Sequence, residues 1–204
     1  LNWRLLVAIA IAVARTVQRE LRNDAPVTGR RRGAVLVSAA VLTLIVLILS
    51  VESQLFDSNF FAMTGAQSIL SGDLPFRDYF DPGVPLAAFT AAAMQLLTGP
   101  RLIGEFLRQW AFIVGGVLLA CHLGLQLSRS AAAVLMMLPV TLLLVANEPT
   151  YHYAKLFFFP LMIWAGWRYL DRPRPLRAGL MGVVTATAFL ERHGPHLSAP
   201  QRRA

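Results

Sequence analysis

The chain has 204 residues, of which 56% are hydrophobic and only 15% charged, against about 25% charged in an ordinary soluble domain. A soluble domain of this size has no core large enough for so much apolar surface, and disorder requires the opposite composition. A single cysteine, Cys121, excludes a disulfide scaffold and a multi-cysteine metal site. The net charge is +8, but the arginines stand at the ends of apolar runs, where they orient helices rather than grip nucleic acid. This is the composition of an all-α integral membrane protein whose partner is the lipid bilayer.

Residues 5–14 are apolar but too short to cross a hydrocarbon core of about 30 Å. Residues 1–33 as a whole read as a basic cytoplasmic N-terminal segment, with Arg30, Arg31 and Arg32 at its end. Ala34 to Val51 carries no charge and is about 27 Å long at 1.5 Å per residue, enough to span. The arginine triplet holds its start in the cytoplasm, so Val51 emerges on the external face. Leu86 to Leu97, bounded by Pro85 and Gly99-Pro100, is a short re-entrant or interfacial helix. Phe106–Leu127, Ala131–Ala146, Ala154–Leu170 and Ala178–Leu190 follow, two of them holding Pro139 and Pro160, which membrane helices tolerate. Treating 86–97 as non-spanning keeps Arg129 and the 171–177 loop cytoplasmic. The expectation is a polytopic bundle of about five spans over residues 34–190. Its external loops are 52–105 and 147–155, and a polar tail covers 191–204.

The first external loop is the informative one. Between residues 52 and 85 stand Glu52, Asp57, Asp73, Asp78 and Asp81, five of the eleven acidic residues, against one base, Arg77. Leu55, Phe56, Phe60, Met63, Ala66, Ile69 and Leu70 recur at helical spacing, predicting a juxtamembrane amphipathic helix closed by Gly72. Such a helix holds carboxylates just above the lipid, where a lipid-linked substrate presents its polar head. Each residue also has a purely architectural reading. Asp57 caps a helix, Asp81 initiates a turn with Pro82-Gly83, and Arg77 pairs with Asp73 or Asp78 for about 0–1 kcal/mol.

In the second external loop, Glu148, His152 and Lys155 either complete a site with Asp57 or are interfacial residues beside a tyrosine belt. His122, near Gln126, reads as a satisfied polar residue near the cytoplasmic end of its helix rather than a ligand.

A first span, then Asp57 and a small-residue helix, then Gly72, Pro75, Phe76, Arg77, Asp78, Tyr79, Pro82, Pro85 and Leu86 form a pattern. It resembles the first external loop of the GT-C superfamily of membrane glycosyltransferases, including the protein O-mannosyltransferases and lipid A aminoarabinose transferases. The likeness extends as hydrophobic rhythm over about residues 34–190, including Leu97-Thr98-Gly99 and Arg108 at the start of the next span. It implies transfer of a sugar from a polyprenyl-phosphate donor to an acceptor at the external face of a bacterial inner membrane. It maps an essential acid onto Asp57 and a second onto Glu148, although the sequence around Glu148 departs from the usual arginine-then-aspartate arrangement. Arg77, Asp78, Asp81, His152 and Lys155 become substrate-binding candidates. A divalent cation held by Asp57 and Glu148 is a possible cofactor. Members of the superfamily are longer, so the resemblance casts this chain as an N-terminal portion. Two other classes stay open on composition: a transporter or flippase, and a non-catalytic membrane fragment.

Overall fold

Apolar residues of high helical propensity run unbroken through most of this chain, and helices are what form. The computed structural model describes residues 15, 29–51, 57–79, 85–147 and 153–190. Within them lie seven helices: α1 (Gly29–Leu49), α2 (Asp57–Leu70), α3 (Pro85–Thr98), α4 (Leu102–Ser128), α5 (Ala131–Asn147), α6 (Tyr153–Asp171) and α7 (Pro175–Leu190). No strand occurs among the described residues; one isolated bridge joins Pro75 and Tyr79.

Two of these helices are long and apolar enough to cross a membrane, α1 with 21 residues and α4 with 27. The expectation of five spans is therefore met by length and composition for two. Helices α5 and α7 are shorter, at 17 and 16 residues, and Lys155 and Arg168 bracket the apolar middle of α6. Helix α1 begins five residues before the predicted Ala34, so Arg30, Arg31 and Arg32 form its first turns rather than the end of a linker. Arginine is a good helix former, and nothing but Gly33 interrupts the run into the apolar stretch. Helix α4 likewise starts ahead of the predicted Phe106, which moves Glu105 from the external loop into the first turn of a helix.

Helix α4 is the axis of the fold, touching α1, α3, α5 and α6, while α7 leans chiefly on α6. The main core joins Val35, Ala39, Val46 and Leu47 of α1, Ile113, Val117, Cys121 and Leu125 of α4, and Ala131 to Leu142 of α5. Thr43 is fully buried in α1 and donates its hydroxyl to the Ala39 carbonyl at 2.7 Å, so the core holds a hydroxyl without an unmet hydrogen bond. Outside this core, Val37, Val140, Phe159, Ile163 and Val183 are all more than half exposed, the sort of apolar exterior that lipid covers.

The tightest contact in the bundle is between Gly116 of α4 and α6. A Cβ at Gly116 would collide with the Leu156 carbonyl oxygen and lie 2.7 Å from the Leu156 carbonyl carbon and 2.9 Å from the Phe157 nitrogen. The reason lies four residues along α6. Pro160 has no N–H to return to the Leu156 carbonyl, so that oxygen is left facing α4, and only a residue without a side chain lets α4 approach it. Phe112, one turn earlier, packs its ring on Tyr153, Phe157 and Phe158 with centroids 5.7–6.0 Å apart.

Helices α2 and α3 form an antiparallel hairpin of 14 residues each, about 21 Å at 1.5 Å per residue and short of a bilayer core. Gly72, at φ 98°, ends α2 where the sequence placed the stop. The predicted apolar stripe of α2, however, divides in two. Gly65 and Ala66 are buried against Ala88, Ala91 and Ala92 of α3, while Phe60 and Phe61 remain 56% and 52% exposed. Small residues meet because they let two helix backbones approach; the aromatic rings fall outside that seam. Leu55 and Phe56 lie outside the described residues.

Replacing Gly116 with alanine should force α4 and α6 apart and lower stability by about 1–3 kcal/mol, the usual cost of overpacking. Thermal unfolding in detergent measures it, with Gly166→Ala as a control at a site where an added Cβ meets nothing.

Candidate functional site

The Pro75–Tyr79 segment folds into a tight turn built by its own side chains. Phe76 takes a left-handed backbone conformation (φ 65°), and its N–H donates to the Tyr79 carbonyl at 3.0 Å. The Asp78 carboxylate accepts the Leu74 N–H at 2.8 Å and is held by the Arg77 Nε at 3.0 and 2.9 Å and Nη2 at 2.7 Å. The Arg77 guanidinium beside it, and then the Leu74 amide, hold the Asp78 carboxyl below the usual carboxylate range. Tyr79 reaches back to donate its hydroxyl to the Gly65 carbonyl at 3.4 Å, tying the turn to α2. Of the two partners the sequence offered for Arg77, the structure selects Asp78. Arg77 itself stays 66% exposed.

A second polar group lies deeper, at the head of α4. Glu105 and Arg108, three residues apart on one helix face, are each 3% exposed and paired in a two-pronged contact: Arg108 Nε to Glu105 Oε2 at 2.9 Å, Nη2 to Oε1 at 2.5 Å. The remaining Arg108 arm, Nη1, donates to Thr90 Oγ1 of α3 at 3.1 Å. Thr90 spends its own proton on the Ala87 carbonyl at 3.0 Å, which leaves its oxygen free to accept. The guanidinium carbon sits 5.1 Å from the centroid of the Tyr153 ring on α6, within range of a cation–π attraction. Gln109 Nε2 approaches Glu105 Oε1 at 3.4 Å. Nearby in α3, Gln95 is buried, donates to the Met63 carbonyl of α2 at 3.2 Å, and keeps its Oε1 without a partner among the described residues. Helices α3, α4 and α6 thus meet at one polar group, and Gln95 makes a separate polar link from α3 to α2.

The expected site residues are distributed unevenly. Asp57 is the first residue of α2, at the position where a cap or a catalytic carboxylate was expected; its side chain lies outside the described residues, as do Asp81, Glu148 and His152. The two carboxylates proposed for a divalent cation fall in that group. Among the described residues no group of three His, Cys, Asp or Glu stands together. Lys155 is half-buried in the first turn of α6, two residues from Tyr153 and so at the same end of that helix as the Arg108 contact. His122 meets Gln126 across one helical turn, Nε2 to Nε2 at 3.0 Å, which fits the satisfied-residue reading.

Sequence reasoning missed Glu105, Thr90, Gln109 and Tyr153 as a unit. The available signal was an acid and a base at i, i+3 within a long apolar run, where ionisable residues are costly and pair with one another. No protein-family model, curated protein or solved structure matches this chain.

Two outcomes follow from this geometry. Arg108→Met strands a buried carboxylate and should cost about 3–5 kcal/mol, whereas the double variant Glu105→Gln/Arg108→Met should recover most of the loss; thermal unfolding in detergent separates them. For the turn, the lowered Asp78 pKa means its stabilisation is present above the ordinary carboxylate value and disappears as pH falls through the lowered one. The Leu74 amide resonance should therefore titrate below about pH 3.9, the free aspartate value, and the titration should vanish in Asp78→Asn.

Proposed function

We propose that this chain is a GT-C-type membrane glycosyltransferase, or the N-terminal part of one. It moves a sugar from a polyprenyl-phosphate donor to an acceptor at the external face of a bacterial inner membrane. The observation that carries the reading is an order of elements. A membrane-length helix is followed by a short surface hairpin opening at Asp57 and bearing the Pro75–Tyr79 turn, and that hairpin feeds directly into a second membrane-length helix. This layout supports the reading because carboxylates and a guanidinium next to a spanning helix suit a bilayer edge, where a phosphate on a greasy tail presents itself. The remaining helices complete a multi-pass bundle of about five spans, α5 to α7 crossing with the help of polar ends and neighbours.

The chemistry asked of these residues is modest. The acceptor hydroxyl oxygen bonds to the anomeric carbon as the bond from that carbon to the phosphate oxygen breaks, and the electron pair departs with the phosphate. The hydroxyl proton passes to the Asp57 carboxylate, acting as general base. Positive charge developing on the sugar ring resembles the oxocarbenium state of glycosyl chemistry generally. Arg77, already exposed at the tip of its turn, and Lys155 offset the charge of the leaving phosphate. Glu148, Asp78, Asp81 and His152 are assigned to the same face.

A transporter or flippase is the second reading, and the Glu105–Arg108 pair inside a membrane-length helix favours it, since intramembrane charges often mark a pathway. The two charges are, however, satisfied by each other and by Thr90, which suits a structural joint better than a conduit.

Membranes carrying the protein, incubated with labelled polyprenyl-phosphate sugars, should move label to an acceptor. Asp57→Asn should reduce that transfer at least about 100-fold, the contribution of a positioned base, with membrane insertion unchanged. Undiminished transfer in Asp57→Asn, or cysteine labelling that places residue 57 on the cytoplasmic side, overturns the assignment.

A further inference from the structure

We infer that the Thr90–Arg108 hydrogen bond is the latch that sets the tilt of the α2–α3 hairpin over the head of α6, with Arg108 as a positioning residue rather than a reacting one. Its consequence for sugar transfer rests on the function proposed above; the latch itself does not.

The argument is one of levers. The hairpin joins the bundle covalently through residues 99–101, where Gly99 adopts φ 74° and leaves a bend between α3 and α4. Close to that bend the two helices are wedged together, Thr98 and Met94 lying against Gly104. Contacts so near a pivot resist sliding but govern the angle weakly. Thr90 lies eight residues further along α3, about 12 Å from the bend at 1.5 Å per residue, so a swing of only about 10° would carry it about 2 Å and break its bond to Arg108. The bond is therefore placed where it resists rotation best.

The bundle end of the latch is fixed. Arg108 is gripped by both oxygens of Glu105 on its own helix and lies over the Tyr153 ring of α6, so it has no freedom to follow a moving hairpin. Thr90 is also pre-set, because its hydroxyl proton is committed to Ala87 and its lone pair is aimed at the guanidinium. Within the hairpin, the Gln95 bond to the Met63 carbonyl and the seam of Ala66, Ala91 and Ala92 make α2 and α3 move as one body. What holds α3 at Thr90 consequently holds Asp57 and the Pro75–Tyr79 turn as well. Tyr153 and Lys155 share the first turn of α6, so the same guanidinium that fixes the hairpin touches the helix turn carrying the other cationic candidate.

The experiment places spin labels at two exposed residues, Gln67 on the hairpin and Gln126 far down α4, in a Cys121→Ala background, and reads the interspin distance in detergent. The parent and Thr90→Ser, which keeps the acceptor oxygen, should give one narrow distribution. Thr90→Val, nearly the same shape with a methyl in place of the acceptor oxygen, and Arg108→Lys, which cannot fork to Glu105 and Thr90 together, should broaden it or move it by at least about 3 Å with helicity unchanged. An identical distribution in both Thr90→Val and Arg108→Lys overturns the latch. In the sugar-transfer assay, Thr90→Val should lose about tenfold in kcat with donor KM within about twofold, and Thr90→Ser should restore it, as expected when a group near the chemistry is displaced by an ångström or so. A moved distribution with unchanged kcat removes the positioning role and leaves the latch. No transfer by the parent protein with any donor removes the proposed function, while the distances still decide the latch.

Discussion

One buried ion pair organises this molecule. Glu105 and Arg108 sit almost wholly out of contact with solvent in the first turns of the longest apolar helix, and in such surroundings neither charge is tolerable alone. Their mutual contact leaves one guanidinium arm and one guanidinium face unused, and each is met by a different element: Thr90 on α3, Tyr153 on α6. A pair like this adds little net stability against a well-packed apolar alternative. What it supplies is direction, because two planar groups in a forked contact admit one geometry where a cluster of leucines would admit several. The hairpin, the central helix and the head of α6 are placed relative to each other by that geometry.

Below this joint the bundle is held by close approach. Two of its helices are of membrane length, and between helices in hydrocarbon the hydrophobic effect is weak and small residues become the means of association. Ala39 and Thr43 on α1, Gly116 and Cys121 on α4, and Ala131 and Ala132 on α5 are small residues buried in the packing of these helices. The Gly116 contact shows how two apparent faults in the sequence answer each other. A proline in the middle of α6 frees a carbonyl, and a glycine in the middle of α4 makes room for it. Arg177 performs a similar service at the other end of α6, donating from Nη1 to the Arg168 and Arg172 carbonyls at 2.7 and 3.2 Å.

Helices were readable in the sequence because apolar runs bounded by glycine, proline and arginine leave few alternatives. The short helix over 85–98, the stop at Gly72 and the paired Arg77 all appear where residue chemistry put them. The departures share one cause. Hydropathy reads each residue on its own, so Arg30–Arg32 and Glu105 read as loop although arginine and glutamate are good helix formers and both stand continuous with an apolar run. The same habit hid the polar joint: Glu105 read as the last residue of a loop and Arg108 as the third of a span. Their partnership with Thr90 and Tyr153, 18 residues upstream and 45 downstream of Arg108, depends on how α3 and α6 pack. That relation is tertiary, and periodicity contains no trace of it. The split face of α2 is of the same kind, since only the presence of the alanines on α3 determines which half of an apolar stripe is covered. Three of the seven expected site residues (Asp81, Glu148 and His152), and the side chain of a fourth, Asp57, lie outside the described residues.

The placement of α7 has a mechanical consequence. Val184 is its one buried residue among those described, and the helix rests chiefly on α6. Tension applied near Leu190 would be borne first by the contact with α6, and the helix would peel away before the packing around α4 gave. Mechanical unfolding from that end should accordingly begin with a short, low-force step of about one helix length, ahead of the larger event in which the remaining bundle gives way.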